Sequence, residues 1–338
     1  MRKHKFIFLC SLLLIAIQIF LVNCSHATEN FDLYIVVDNN IYRDDLETCW
    51  GLSIYIKYRN ISILFDTGCK SSTLLYNLDK LGIDPNNIDI VVLSHPHGDH
   101  IGGLEGLANV NKRFTLYIPN GFPRELINRY IEMGIDVHII DNPTCIADGV
   151  YLTGGLSFGS MYEQALVINT SRGAIIITGC AHPGIENIVK FVADEMGFKD
   201  ILMVCGGFHL MYASIDRIQK IIKVFDMYYV KVIMPIHCTG ELAREIFKQT
   251  YDDRAILAGV GYHITLSDLS KLIIKFTGEH PSEQLIENET IESTSNIEEG
   301  KVIEERKSNV ILVILISLAI FLVLLAGLFV YARVFKKS

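Results

Sequence analysis

The chain has 338 residues, half of them hydrophobic (50%), enough to bury a sizeable core. Its 38 acidic residues outnumber the 30 basic ones, for a net charge of −8. That balance argues against an enzyme that grips nucleic acid, which needs a basic surface.

Arg2, Lys3 and Lys5 precede an almost purely apolar run, residues 6–22. This is the layout of a secretory signal peptide, and Ser25-His26-Ala27 offers a small-x-small cleavage site. Residues 1–27 are therefore read as a signal peptide, or as an anchor if uncleaved. Leu21-Val22-Asn23-Cys24 falls short of a lipidation signal, because Asn stands where a small residue is expected before the Cys.

Strand-like and helix-like segments then alternate. Residues 33–37, 52–56 and 61–65 read as strands, and 71–81 as a helix. Residues 88–93 form an apolar run, read as a buried strand, that leads into Ser94-His95-Pro96-His97-Gly98-Asp99-His100. His95 and His97, two apart on extended chain, project to one side and can grip one ion. Gly98 permits a sharp turn that presents Asp99 and His100 to a second ion. Imidazole with carboxylate suits zinc, and iron or manganese less selectively. A polar loop of solvated histidines is the plainer alternative, and the clustering disfavours it.

Further along, a helix is expected at 102–108, a strand at 114–118 and a helix at 124–133. His138 falls in ordinary strand, and His263 has no motif around it. A hairpin is expected from 165–168 and 174–178 around Ser171-Arg172-Gly173. Then follow a helix at 183–196, a strand at 201–204, an amphipathic helix at 214–226, a strand at 231–236 that ends on His237, and a helix at 241–249. Ligands at the carboxyl ends of strands fit a layered α/β design. Residues 28–276 form this body.

Residues 277–309 are rich in Glu, Ser, Thr and Asn and cannot bury enough apolar surface to fold alone, so they read as a solvated stalk. Residues 310–330 hold no charge and are long enough to cross a hydrocarbon core as a helix. Arg333, Lys336 and Lys337, in the tail 331–338, suit a cytoplasmic flank. The body is expected on the extracytoplasmic side, with one membrane span, or two if the first segment is retained. Six cysteines follow the expected cleavage point: Cys49, Cys69, Cys145, Cys180, Cys205 and Cys238. No spacing identifies a disulfide framework. Cys69, Cys180 and Cys238 lie in or beside motifs and are expected to be reduced site residues.

The histidine cluster, followed by Ile101-Gly102-Gly103-Leu104, resembles the metallo-β-lactamase superfamily. So do Ile63-Leu64-Phe65-Asp66-Thr67-Gly68, the segment from Ile175 to His182, and Met234-Pro235-Ile236-His237-Cys238-Thr239-Gly240. Gly179-Cys180-Ala181-His182, Gly206-Gly207-Phe208-His209-Leu210 and His237-Cys238-Thr239-Gly240 together resemble one branch, labelled 7,8-dihydropterin-6-methyl-4-(β-D-ribofuranosyl)-aminobenzene-5'-phosphate synthase. The likeness runs from about Phe31 to about Phe276.

The resemblance implies an αββα sandwich and one or two divalent ions, zinc foremost. It places His95 and His97 on the first ion and Asp99 and His100 on the second, which His237 closes. Cys180 stands where the superfamily usually has a bridging Asp, and a thiolate can ligate zinc. His182, two residues on, is the favoured ligand of the first ion, with Cys180 as the alternative. Asp66 is expected to orient a ligand from behind. His209, beside a glycine pair, is read as a pocket residue and proton donor, or else as a satisfied core histidine. Asp99 would also orient an attacking hydroxide. The expected activity is hydrolysis of a small molecule, a phosphoester or pterin-related compound, by a metal-activated hydroxide. An extracytoplasmic body sits poorly with intracellular pterin synthesis, so the branch name is taken as a label. The alternatives are a synthase-type enzyme and a non-catalytic metal-containing binding protein on the membrane surface. A redox diiron enzyme would carry Glu where His97 stands.

Overall fold

Two sheets face one another across an apolar layer, and each carries helices on its outer side. The structure is a computed structural model that describes residues 29–277 apart from Ser160. The expected signal or anchor, the stalk beyond 277, the span at 310–330 and the basic tail lie outside the described residues. Among the described residues, no helix is long and apolar enough to cross a membrane.

The first sheet begins with the antiparallel strands β1 (Phe31–Val37), β2 (Ser53–Tyr58) and β3 (Ile61–Phe65). It continues in parallel through β4 (Ile90–Val92), β5 (Thr115–Pro119) and β6 (Asp136–Ile140), and β15 (His263–Thr265) pairs with β1 at the other edge. The second sheet contains β7 (Thr144–Ala147), β8 (Val150–Leu152), β11 (Leu166–Thr170), β12 (Gly173–Thr178), β13 (Ile201–Gly207) and β14 (Val232–Ile236). Of these, β12, β13 and β14 run parallel, with Thr178 beside Gly206 and Gly206 beside Pro235. A small hairpin, β9 (Leu156–Phe158) and β10 (Met161–Glu163), stands apart from both sheets.

The period of two in the strands builds the layers. In β12, Ile175 and Ile177 enter the core between the sheets, while Ala174 and Ile176 face α5 (Ile185–Asp194), α6 (Ile215–Met227) and α7 (Glu241–Tyr251). In β3, Ile63 and Phe65 join the same central core. Leu64 faces the opposite layer, built with α1 (Ser71–Lys80), α3 (Leu104–Val110) and α4 (Arg124–Glu132). Helix α8 (Leu266–Thr277) adds Leu266 and Leu269 to the central core. This is the four-layer αββα order that was expected.

Three points differ from the sequence reading. The expected sharp turn at Gly98 is instead the start of a short helix, α2 (Gly98–Ile101), and Gly98 needs no positive φ. Residues 141–163, for which no element was expected, form four short strands of three or four residues, too brief for a periodic signal. Cys69 is not a reduced site residue: it is bonded to Cys49, 20 positions earlier.

Candidate metal centre

The loops at the carboxyl ends of β3, β4, β12, β13 and β14 converge, and each delivers part of one cluster. His95 follows β4 and is fully buried. Its Nε2 stands 3.0 Å from His97 Nδ1, and its Nδ1 stands 2.8 Å from Ser94 Oγ. Zn–N bonds near 2.0–2.1 Å in a tetrahedral site hold ligand nitrogens about 3.3 Å apart, so the pair is spaced for one ion. The His182 ring centroid lies 4.9 Å from that of His95 and 5.1 Å from that of His97. The ligand atoms of His95, Cys180 and His182 all fall within 4.8 Å of one another.

A second group forms beside the first. The ligand atoms of His100, Cys180 and His237 also lie within 4.8 Å of one another. Cys180 Sγ is 3.2 Å from His100 Nε2. Asp99 Oδ2 is 3.7 Å from His100 Nε2 and 3.4 Å from His237 Nε2. His237 Nε2 is buried without a hydrogen-bond partner, an orphaned lone pair of the kind an ion satisfies. Cys180 belongs to both groups, so Cys180 and His182 are not alternatives here: the fold brings in both. Among the described residues the donor set is imidazole, thiol and carboxylate, which fits zinc.

Electrostatics suit ligation. Burial, with His209 and His97 beside it, pushes the His182 imidazole down to about 3. Burial, with His100 and His182 close by, holds His95 well below the usual histidine range. Both are therefore neutral and present lone pairs. Burial also disfavours a charge on His100, yet the Asp66 carboxylate overrides this and lifts it to about 9. The Asp66 carboxylate thus favours positive charge at His100.

Behind these residues stand groups that hold them. Asp66 Oδ2 is 2.6 Å from His100 Nδ1, and the same carboxylate accepts the Ser94 backbone N–H and hydroxyl at 2.7 Å each. Gly179 makes room for this contact, because a Cβ there would lie 2.1 Å from Ser94 Oγ. Asn39 Oδ1 meets His237 Nδ1 at 3.0 Å, leaving Nε2 for the cluster, and Asp38 Oδ2 accepts the His237 backbone N–H at 3.0 Å. Glu163, 1% exposed, accepts from the backbone N–H groups of Cys180, Ala181 and His182. Burial pushes its carboxyl up to about 7 against those donors.

Sequence reasoning missed Asp38, Asn39 and Glu163. Asp38 and Asn39, like Asp66, lie just past an apolar strand, but they fall outside the segments that carry the family resemblance. Glu163 sits in a hairpin too short to register. Asp66, Ala181, His209 and His237 all have positive φ, between 52° and 58°. Such backbone strain in non-glycine residues gathers at functional sites.

Exposed His209 lies at the mouth, its ring centroid 4.4 Å from that of His182. A hydrogen bond with Cys238 raises its imidazole above the ordinary value, against burial. It lines an open cavity of ≈ 440 Å³ with Trp50, His182, Met211, Tyr212 and Arg217. Trp50 follows the disulfide-bonded Cys49, and its ring lies 5.1 Å from His237. Arg217 pairs with Glu186 at 2.6 Å. His138 and His263 stand elsewhere, against Asp136 and Asp32.

The family model of the metallo-beta-lactamase superfamily matches residues 49–112. The 7,8-dihydropterin-6-methyl-4-(beta-D-ribofuranosyl)-aminobenzene-5'-phosphate synthase of Methanocaldococcus jannaschii is 28% identical over 273 residues, spanning 67% of this chain and 93% of that protein. An uncharacterised protein of the same organism is 31% identical over 238 residues, 61% of this chain and 90% of its own length. Among solved structures, Tm1679, described as a metal-dependent hydrolase of the beta-lactamase superfamily, aligns at a TM-score of 0.59 and 28% identity over 69% of this chain and 98% of its own. A diphosphatase of the PhnP family aligns at a TM-score of 0.52 and 14% identity, over 70% of this chain and 97% of its own, a likeness of fold alone.

Proposed function

The chain belongs to the metallo-beta-lactamase superfamily, and from that premise we propose that it is a metal-dependent hydrolase of a small molecule, tethered to a membrane with its body outside the cytoplasm. One observation carries the proposal: among the described residues three three-residue ligand groups share the Cys180 thiol, with His95 and His182, with His100 and His237, and with His209 and Cys238, beside a cavity open to solvent. His95, His97 and His182 would hold one ion and Asp99, His100 and His237 the other, with Cys180 between them. Zinc is the ion this donor set favours.

When bound, the ions polarise a substrate oxygen and bring the pKa of water toward neutrality. The chain supplies the rest. Asp66 and Asn39 fix the ring orientation of His100 and His237. Asp99, partly open to solvent, offers a carboxylate oxygen that orients the proton of an attacking water. His209 holds an imidazole N–H at the cavity wall and donates it to the leaving group. Trp50, Met211 and Tyr212 give that wall an apolar surface against which the substrate body packs.

The substrate class is a phosphoester or a pterin-related compound. The 28% identity to a protein named as a pterin-phosphate synthase favours, as a second reading, synthase-type chemistry at the same residues. The tether rests on the basic, apolar start and on the apolar run 310–330 with its basic tail.

The test is a panel of phosphomonoesters, phosphodiesters, lactones and a dihydropterin phosphate. The full chain is assayed as purified, after chelation, and after zinc is restored. Hydrolysis that is lost on chelation and regained with zinc supports the proposal. A chain that binds zinc, hydrolyses nothing and joins the dihydropterin phosphate to an added ribofuranosyl-aminobenzene phosphate, forming a C–N bond as the pterin's phosphate leaves, supports the synthase reading. Turnover indifferent to chelation refutes both.

A further inference from the structure

Each ion site draws ligands from both sheets, so something must fix the gap between the two ligand loops. His95 and His97 come from the first sheet, through β4. Cys180 and His182 come from the second, through β12. Between the loops lie two consecutive buried residues at the end of the small hairpin, Glu163 (1% exposed) and Gln164 (0%).

Glu163 faces the second sheet. Its Oε1 accepts the backbone N–H of Cys180 and of Ala181, each at 2.8 Å, and its Oε2 accepts that of His182 at 2.7 Å. Three successive N–H groups can converge on one carboxylate because Ala181 adopts φ +58°. Gln164 faces the first sheet. Its side-chain amide donates to Leu93 O at 2.9 Å and Tyr117 O at 3.3 Å, and its backbone N–H donates to Ser94 O at 3.0 Å. Leu93 and Ser94 immediately precede His95. One dipeptide thus grips both ligand loops, one residue to each.

We propose that Glu163 and Gln164 form a brace that sets the position of His182 against His95 and His97, with Glu163 the positioning residue for the first ion. The inference rests on reading the cluster as a metal centre. It concerns the hydrogen bonds of the turn, none of which is made through an ion.

Glu163→Gln is the informative variant. Its amide keeps the size of the carboxylate but has one acceptor oxygen. The orientation that retains the two bonds to Cys180 and Ala181 turns an NH₂ group toward the His182 N–H. The bond at His182 is therefore lost first, while the grip on Cys180 persists. Zinc titration against a competing chelator should show one of two bound equivalents weakened about 10- to 100-fold, the range for groups that support metal ligands. The other, at Asp99, His100 and His237, should stay near the parent value.

Amide hydrogen exchange in the metal-free protein reads the brace without any ion. In the parent, the amides of Cys180, Ala181 and His182 should be as protected as those of β12, and in E163Q the His182 amide should exchange faster. Two equivalents bound by E163Q at parental affinity, or unchanged exchange at His182, overturns the proposal. If E163Q does not fold, the parent alone decides: loop-like exchange at all three amides overturns the brace, and protection upholds it. A parent that binds no zinc refutes the metal reading, and the exchange measurement still decides the brace.

Discussion

The Asp66 carboxylate and the His100 imidazole meet at 2.6 Å, both fully buried, one just past β3 and the other in α2. The contact joins two segments 34 residues apart and leaves His100 Nε2 directed at Cys180 Sγ, 3.2 Å away. Removing one partner of a buried charged pair typically costs about 3–5 kcal/mol, because the other is left uncompensated. Asp66→Ala should lower the unfolding free energy of the metal-free protein by that order and weaken the second ion about 10- to 100-fold. Denaturant titration and zinc titration of the same preparation check both. Parental stability together with parental zinc affinity would remove Asp66 from its role.

Cys180 touches both ligand groups, so its loss should be felt at both ions. Cys180→Ser should weaken both, and Cys180→Asp, which restores an anionic ligand, should recover part of the affinity. His182→Ala should weaken one only. Equilibrium zinc binding by the three variants distinguishes these patterns. Two ions held by Cys180→Ser at parental affinity would reduce Cys180 to a packing residue.

Much of this centre was legible in the sequence because its residues sit in short motifs at strand ends. His95, His97, Asp99 and His100 fall within six positions, and each remaining ligand follows an apolar strand that periodicity identifies. What was not legible depends on distance in the fold. That Cys180 and His182 both reach the cluster goes with Ala181 in the left-handed region and with Glu163, 17 positions before Cys180. Asn39 reaches His237 across 198 positions. Cys49 and Cys69 carry no spacing signal, and their bond follows from the packing of the loop after β3. A Cβ on Gly51 would lie 2.8 Å from Cys69 N and 2.6 Å from Asp99 O, so that loop and the metal loop are pressed together.

The Cys49–Cys69 bridge closes a loop of 20 residues. Loop-closure entropy for that length corresponds to about 3 kcal/mol. The double variant Cys49→Ser with Cys69→Ser should unfold at correspondingly lower denaturant, and reductant should shift the parent's midpoint in the same direction. A midpoint unmoved by reductant would mean that the bridge does not form. The same variant should also alter the fluorescence of Trp50, the single tryptophan, which the bridge holds near His237.

Membrane placement gives a separate expectation. Protease added to intact cells or spheroplasts should cut the acidic segment 277–309 and release a folded, metal-containing fragment. Protection of the body until the membrane is lysed would reverse the orientation and favour a cytoplasmic, pterin-related role.

The measurement that bears most directly on the account is elemental analysis of the full chain, purified without chelator, beside His97→Ala. The account expects transition metal bound at up to two ions per chain, zinc foremost, with a sharp loss in His97→Ala, where one of the paired imidazoles 3.0 Å apart is gone. A chain that carries no metal as purified, and takes up none when zinc is added, would contradict it.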